Sequence, residues 1–166
     1  AIFIAEVPTG IVADLYSRKW SIIIGFFIIG CGLLLEGAFA WVVTIFVAQA
    51  VWGIGYTFTS GATDAWLAGE IGEEKLASTL LRGSQFGRVG SLLGMGLAVG
   101  IGLATNVRWS LVVGGAGVMA LALLLPALMP ETGFKPTERE SEGAWAQMGE
   151  IFRDGWSVDR KSTRLN

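Results

Sequence analysis

Asp14, Arg18 and Lys19 form the group in this chain whose types and spacing most clearly suggest chemistry. They lie between two apolar stretches, and Gly10 precedes them in the same connection. A carboxylate near a helix N-terminus is typically stabilised by about 0.3–1 kcal/mol through the helix dipole. Gly10 has no Cβ and so allows two backbones to approach closely. The pattern indicates a charged connection that can hold helix ends together. The alternative is a solvated loop whose charges only orient the chain.

Glu6 and Glu36 are carboxylates set within apolar sequence. Placing an ionised carboxylate at the centre of a bilayer costs about 2.5–3.5 kcal/mol, so such residues are functional candidates by default. We therefore expect Glu6 and Glu36 to belong to a substrate or proton pathway. The alternative for Glu36 is that it reaches the outer membrane interface, and Glu6 lies close to the cytoplasmic end of its helix.

Gln49 and Asp64 are two further candidates for this pathway. An amide such as Gln49 can hydrogen-bond a substrate across helices, but it carries no charge with which to tune a carboxylate. Asp64 closes an apolar run and is expected at the cytoplasmic mouth, where it can pair with Arg18 or Arg82. For Asp64, structural pairing is favoured over contact with substrate.

The composition predicts that apolar helices position these residues. The chain has 166 residues, of which 52% are hydrophobic and 16% charged, with a mean hydropathy of +0.58. Its Asp, Glu, Lys and Arg residues are clustered, which leaves four long runs without any of them. These runs are 20–35, 37–63, 89–107 and 109–130. A membrane-spanning helix needs about 20 mostly apolar residues, so the sequence predicts an all-α, polytopic membrane helical bundle.

The predicted organisation is a membrane bundle over residues 1–130, a polar segment over 131–158 and a non-native tail over 159–166. Within the bundle, the expected spans are 1–9 (the end of a helix), 20–40, 41–63, 89–105 and 109–129. Alternation of these spans places eight basic residues on one side and Arg108 alone on the other. Because cytoplasmic loops carry the excess of Lys and Arg, the connection at 10–19 and the 131–158 segment are predicted to be cytoplasmic.

The connection at 10–19 resembles the signature of the major facilitator superfamily, roughly G-x-L-A-D-R-x-G-R-K. Gly10, Ala13, Asp14, Arg18 and Lys19 match it, whereas Val12, Leu15 and Ser17 depart from it. The resemblance implies a partial fold of that family, from the end of its second transmembrane helix through the sixth, with part of the central linker. It also implies that the C-terminal six-helix half is missing here, and that Gly10, Asp14, Arg18 and Lys19 form a conformational latch.

Two other segments bear on this resemblance. Gly53-Ile-Gly55 is present as in many proton-coupled exporters of the family, but Gln49 occupies the position of their Arg. Gly87, Gly90 and Gly94 belong to a series of small residues in the span corresponding to the fifth helix, where the antiporter pattern of the family has a proline that this chain lacks. Because membrane helices pack closely through small residues, all five glycines are predicted to serve helix packing.

The predicted function is secondary active transport of a small solute by alternating access, as proton-coupled drug-type efflux. Sugar or metabolite uptake by the same fold is the alternative, and a non-transporting membrane scaffold or receptor is the rival from another class. The chain has no histidine and one cysteine, and its embedded acids are isolated, so an enzyme is not expected. The expected partners are a small-molecule substrate, protons and the lipid bilayer of a bacterial inner membrane. No cofactor, metal or nucleic acid is predicted.

Overall fold

The computed structural model describes residues 17–39 and 41–132, which form four α-helices and contain no strand. The helices are α1 (Arg18–Ala38), α2 (Val42–Ile71), α3 (Glu73–Ala104) and α4 (Val107–Leu128). Each is long and apolar enough to cross a membrane. The predicted all-α membrane fold is thus confirmed for these residues.

The helices end where the sequence offers a cap. Ser17 and Asn106 are the N-caps of α1 and α4, and each accepts hydrogen bonds from backbone N–H groups of the first turn. Such caps satisfy donors that have no partner inside the helix. Gly72 alone separates α2 from α3 and has φ +78° and ψ 158°. This backbone conformation is essentially restricted to glycine.

The charged segment 64–88 is helical except for Gly72, so α2 and α3 extend well beyond the predicted spans. With 30 and 32 residues, they are about 45 and 48 Å long, against a hydrocarbon core of about 30 Å. A hydropathy pattern detects only the part of a helix that lies in lipid. The predicted ends at 63 and 89 are therefore ends of apolar sequence, whereas the helices themselves continue.

Helix α1 packs between α2 and α4 through glycines seven residues apart. Gly25 and Gly32 face α2, where a Cβ on Gly25 would lie 2.7 Å from the carbonyl oxygen of Gly55. Gly30 and Gly37 face α4, and a Cβ on Gly30 would lie 3.2 Å from the carbonyl oxygen of Gly115. Such contacts bring backbones close together, which is how helices associate where lipid removes most of the hydrophobic driving force.

A small apolar cluster joins three elements at the end of the bundle where α1 begins. It consists of buried Ile22, Ala62 and Met129, with Phe26, Trp66 and Leu125 packed against it. These residues come from α1, α2 and the end and exit of α4. This cluster therefore fixes the helix ends that carry the polar residues described below.

Helix α3 is peripheral within the described part of the chain. None of its residues is buried, and its hydrogen bond to another helix runs from the Ser110 hydroxyl of α4 to the carbonyl of Ala98, at 2.7 Å. Leu92, Leu93 and Leu97 are each about two-thirds exposed or more. Within the described residues, one side of α4 is thus the main neighbour of α3.

Several predictions lie outside the described residues. These are the roles of Glu6, Gly10 and Asp14, the helix end at 1–9, nearly all of the 131–158 segment and the tail at 159–166.

Candidate functional site

Glu131 completes the N-terminal cap of α1 although it follows α4. The Ser17 hydroxyl accepts a hydrogen bond from the Trp20 N–H (3.0 Å) and donates to the Glu131 carboxylate, whose oxygens lie 2.9 and 2.8 Å away. The backbone N–H of Lys19 also donates to Glu131, at 3.1 Å. A carboxylate here satisfies a helix-end donor and lies at the positive end of the helix dipole. The beginning of α1 is therefore tied to the exit of α4.

Lys19 forms a second connection between the beginning of α1 and the end of α4. Its Nζ donates to the carbonyl oxygen of Pro126 at 2.8 Å. In an uninterrupted helix this carbonyl would accept from the N–H of residue 130, but Pro130 has no N–H. Lys19 thus supplies the donor that Pro130 cannot, and it places a cation at the negative end of the helix dipole.

Four further hydrogen bonds join the end of α2 to the same region. The Arg18 guanidinium donates from Nη1 to the Ala65 carbonyl at 2.9 Å, and the Trp66 indole N–H donates to the Pro130 carbonyl at 2.8 Å. Glu70 accepts from the N–H and the hydroxyl of Thr132, at 2.7 and 2.6 Å. Together these side chains form what we call the helix-end cluster. Its members are Ser17, Arg18, Lys19, Trp66, Glu70, Glu131 and Thr132.

The helix-end cluster contains two of the four predicted latch residues. Arg18 and Lys19 each bind the backbone carbonyl of another helix, whereas Gly10 and Asp14 lie outside the described residues. The predicted latch role of all four residues stays a prediction. The contribution of Glu131 was not predicted, although Pro130-Glu131 directly after an apolar run is a signal that an acid lies at a helix exit.

Two of the pathway candidates contact each other across α1 and α2. The Gln49 side-chain amide donates to a Glu36 carboxylate oxygen at 3.0 Å. Glu36 is half-buried and Gln49 exposed. Because Gln49 is neutral, this hydrogen bond orients the carboxylate without compensating its charge.

Asp64 lies apart from that pair, exposed on α2 toward the helix-end cluster. The hydrogen bond of Arg18 goes to the carbonyl of Ala65, the residue after Asp64. Pairing of Asp64 with Arg18 or Arg82 stays a prediction.

The predicted packing glycines occupy different surroundings. Gly55 lies tightly against α1, where a Cβ would come within 2.7 Å of the Gly25 carbonyl oxygen. A Cβ on Gly53, Gly87, Gly90 or Gly94 would meet no atom within 4 Å in the described part of the chain. The packing partners of these four are thus not among the described residues, and their role stays a prediction.

Two further features were missed by sequence reasoning. The glycines of α1 that form its two packing faces have a visible signal, since both pairs are spaced by seven residues. The second feature is a stacked pair on α2, Trp52 and Tyr56, with ring centroids 5.6 Å apart and an interplanar angle of 16°. Their spacing of four on a helix was the available signal. Over residues 17–39 and 41–132, no group of three His, Cys, Asp or Glu side chains could hold a metal ion.

Comparison with known proteins gives one match. The family model of the Major Facilitator Superfamily matches residues 1–161 of the 166. Searches of curated proteins and of solved structures found no match.

Proposed function

Because the chain belongs to the major facilitator superfamily, whose members are secondary transporters, we propose that it is part of a proton-coupled, drug-type exporter. Secondary transport follows from the family, as does a multi-pass location in a membrane. The proton coupling, the direction of transport and a bacterial inner membrane with the helix-end cluster on the cytoplasmic side are our proposal. In such a transporter, alternating access would result from two helical bundles that rock around a central site.

The proposed proton coupling rests on the hydrogen bond between Glu36 and Gln49. Glu36 is the acid within α1, and its partner at 3.0 Å is a neutral amide. An ionised carboxylate within an apolar helix is costly in lipid, which makes such a residue a functional candidate. Glu36 therefore serves as the proton-exchanging group in this proposal.

The helix-end cluster supports the alternating-access part of the proposal. Its bonds join the beginning of α1 to the ends of α2 and α4, and several of its acceptors are backbone carbonyls at or near helix ends. Such bonds can be exchanged as helices move, and a few kcal/mol is enough to shift a two-state equilibrium. We propose that Asp14 and Gly10 act with Arg18 and Lys19 as a latch on this side.

The test uses everted membrane vesicles that contain the complete transporter and have an acidified lumen. Ethidium serves as the drug probe, and a pH-sensitive acridine dye reports the proton gradient. We expect ethidium to release protons from the lumen and to accumulate there, and Glu36→Gln to abolish both effects. Glu74→Gln, which changes an exposed acid in the first turn of α3, is the matched control.

Two results would contradict the proposal. Ethidium transport that is insensitive to collapse of the pH gradient would remove proton coupling. Accumulation of radiolabelled glucose in right-side-out vesicles, with no response to ethidium, would favour uptake of sugar by the same fold.

A further inference from the structure

Glu36 and Arg108 are the two charged residues at one end of the described bundle. Apart from this pair, the charged side chains of residues 17–39 and 41–132 lie at 18–19, within 64–88 and at 131. Those positions are the beginning of α1, the end of α2, the first half of α3 and the exit of α4, all toward the opposite end. One negative and one positive charge are therefore placed together, away from the other described charges.

The backbones of α1 and α4 are in contact where these two residues lie. Gly37 directly follows Glu36, and a Cβ on Gly37 would lie 3.1 Å from the carbonyl oxygen of Arg108 and 3.0 Å from the backbone nitrogen of Val112. Adding standard bond lengths to the first distance places the Cα atoms of Glu36 and Arg108 at most about 11 Å apart. Extended glutamate and arginine side chains can together bridge that separation.

Neither charge is compensated within the described residues. Glu36 is half-buried and accepts a hydrogen bond from the neutral side-chain amide of Gln49, at 3.0 Å. The Arg108 N–H donates to Asn106 in the cap of α4, whereas the Arg108 side chain is exposed and has no partner among residues 17–39 and 41–132. Ionisable residues of membrane helices usually pair with one another or with backbone carbonyls. An acid and a cation within reach of each other therefore indicate a pair that forms in another arrangement of the same helices.

The two neighbours of Glu36 favour different protonation states of its side chain. The Arg108 guanidinium can donate two parallel N–H bonds to an ionised carboxylate and adds an opposite charge, whose attraction is stronger away from bulk water. The Gln49 amide offers an ionised carboxylate N–H donors without a charge. A protonated carboxyl can instead form a reciprocal pair with an amide, in which its O–H donates to the amide oxygen and its carbonyl accepts the N–H. Protonation therefore favours Gln49, and loss of the proton favours Arg108.

We infer that Glu36 exchanges partners when it exchanges its proton. In the protonated form it binds Gln49 of α2, and in the ionised form it binds Arg108 of α4. The proton passes between Glu36 and water, and no other covalent bond forms or breaks. Arg108 is thus a positioning residue that draws the end of α1 toward α4. This inference rests on the proposed function, in which Glu36 exchanges the proton, and it adds the residue that receives Glu36 once the proton has left.

A double-mutant cycle on the complete transporter, purified in detergent, tests the pair. The midpoint of thermal unfolding in alkaline buffer is measured for Glu36→Gln, Arg108→Gln and the double variant, and we expect the two effects to be non-additive. Arg108→Glu should lower the midpoint, because two like charges then face each other. Adding Glu36→Arg to it should recover about half of the loss or more. Arg88→Gln, which changes an exposed cation of α3, is the matched control and should combine additively with Glu36→Gln.

Two further variants test the exchange of partners and its part in transport. Gln49→Leu removes the amide that binds the protonated acid, so the coupling between Glu36 and Arg108 should increase in this background. In everted vesicles with an acidified lumen, Arg108→Gln should slow ethidium-driven proton release severalfold. Arg108→Lys keeps the positive charge and should retain the release, which a merely structural role of the arginine side chain would not predict.

The outcomes separate this inference from the export proposal. Additive midpoints for Glu36→Gln and Arg108→Gln, with ethidium-driven proton release intact in the wild type, would refute the pair and leave the export function standing. Coupled midpoints without proton release in the wild type would support the pair and refute the export function. Where Arg108→Glu does not yield folded protein, Arg108→Gln and Arg108→Lys provide the decisive comparison. Equal midpoints and equal proton release for these two variants would show that no positive charge is needed at this position.

Discussion

Glu131 accepts hydrogen bonds from a helix whose N-cap precedes it by 114 residues along the chain. In a capping box the acid lies three residues after the cap on the same helix. Here the third position of α1 is Trp20, and the acid comes from the exit of α4 instead. The acid of the α1 cap is thus supplied by a tertiary contact and not by α1 itself. The stability of the first turn of α1 therefore depends on the position of α4.

Ser17→Ala tests this cap. The variant loses the acceptor for the Trp20 N–H and the donor to Glu131, so we expect a loss of about 1–2 kcal/mol in the free energy of unfolding. Thermal unfolding of the purified protein in detergent measures it. The control is Ser84→Ala, whose hydroxyl donates to the Leu81 carbonyl on exposed α3. Equal midpoints for Ser17→Ala and the wild type would show that the cap contributes nothing.

Lys19 and Pro130 allow a double-mutant test of the bond to Pro126. Lys19→Met leaves the Pro126 carbonyl without its donor, and we expect a cost of about 1–3 kcal/mol. Pro130→Ala restores an N–H at the position from which a helix would serve that carbonyl. The cost of Lys19→Met should therefore be smaller in the Pro130→Ala background. Additive effects of the two substitutions on the free energy of unfolding would contradict this account.

At the scale of elements, α1 is the central helix, packed closely between α2 and α4. Its four packing glycines allow backbone contact on two sides, and any side chain there would force the helices apart. Helix α3 has no buried residue in the described part of the chain. The three-helix group of α1, α2 and α4 is therefore expected to move as one unit.

Gly25→Ala should disrupt this unit. Its Cβ would lie 2.7 Å from the Gly55 carbonyl oxygen, a backbone atom that cannot move without shifting α2. We expect a loss of at least about 2 kcal/mol, against little change for Gly117→Ala, whose Cβ would meet nothing within 4 Å. Thermal unfolding in detergent compares the two variants. A midpoint for Gly25→Ala at or above that of Gly117→Ala would show that α1 and α2 are not packed this closely.

The sequence predicted the helical spans because an apolar run of about 20 residues has few structural options in a membrane. It did not predict that α2 and α3 continue through charged sequence, since hydropathy does not detect the part of a helix that lies outside lipid. Arg18 and Lys19 were identified by their spacing, whereas the bonds of Glu131 and the contact between Glu36 and Gln49 depend on tertiary arrangement. Sequence separation alone could not reveal which acid meets which helix end.

At the scale of the whole molecule, the helix-end cluster and the Glu36–Gln49 pair lie toward opposite ends of α1. Arg18 and Lys19 begin the helix, and Glu36 lies two residues before its end at Ala38. A rigid α1 can therefore couple the two regions, because tilting it changes both its contacts in the helix-end cluster and the position of Glu36. Such coupling requires that each state be favoured by different contacts.

Asp14→Asn tests the latch in the complete transporter. We expect the loss of charge to favour the state open to the cytoplasm and to raise, severalfold, the labelling rate of a Ser60→Cys thiol by a membrane-impermeant maleimide in everted vesicles. Cys31→Ala removes the native thiol from the background. Glu74→Gln is the control for loss of an acid elsewhere. Unchanged labelling and unchanged transport in Asp14→Asn would refute the latch.

Gly72 is a position at which extra residues can be inserted into the chain. It joins two long helices as a single residue, its backbone has φ +78°, and a Cβ there would meet no atom within 4 Å. Any other residue at this position would have a strained backbone. Residues inserted after Gly72 would instead extend into free space. An epitope or protease recognition sequence placed after Gly72 should therefore be tolerated. Its accessibility from one face of the membrane would then report the topology of the whole bundle directly.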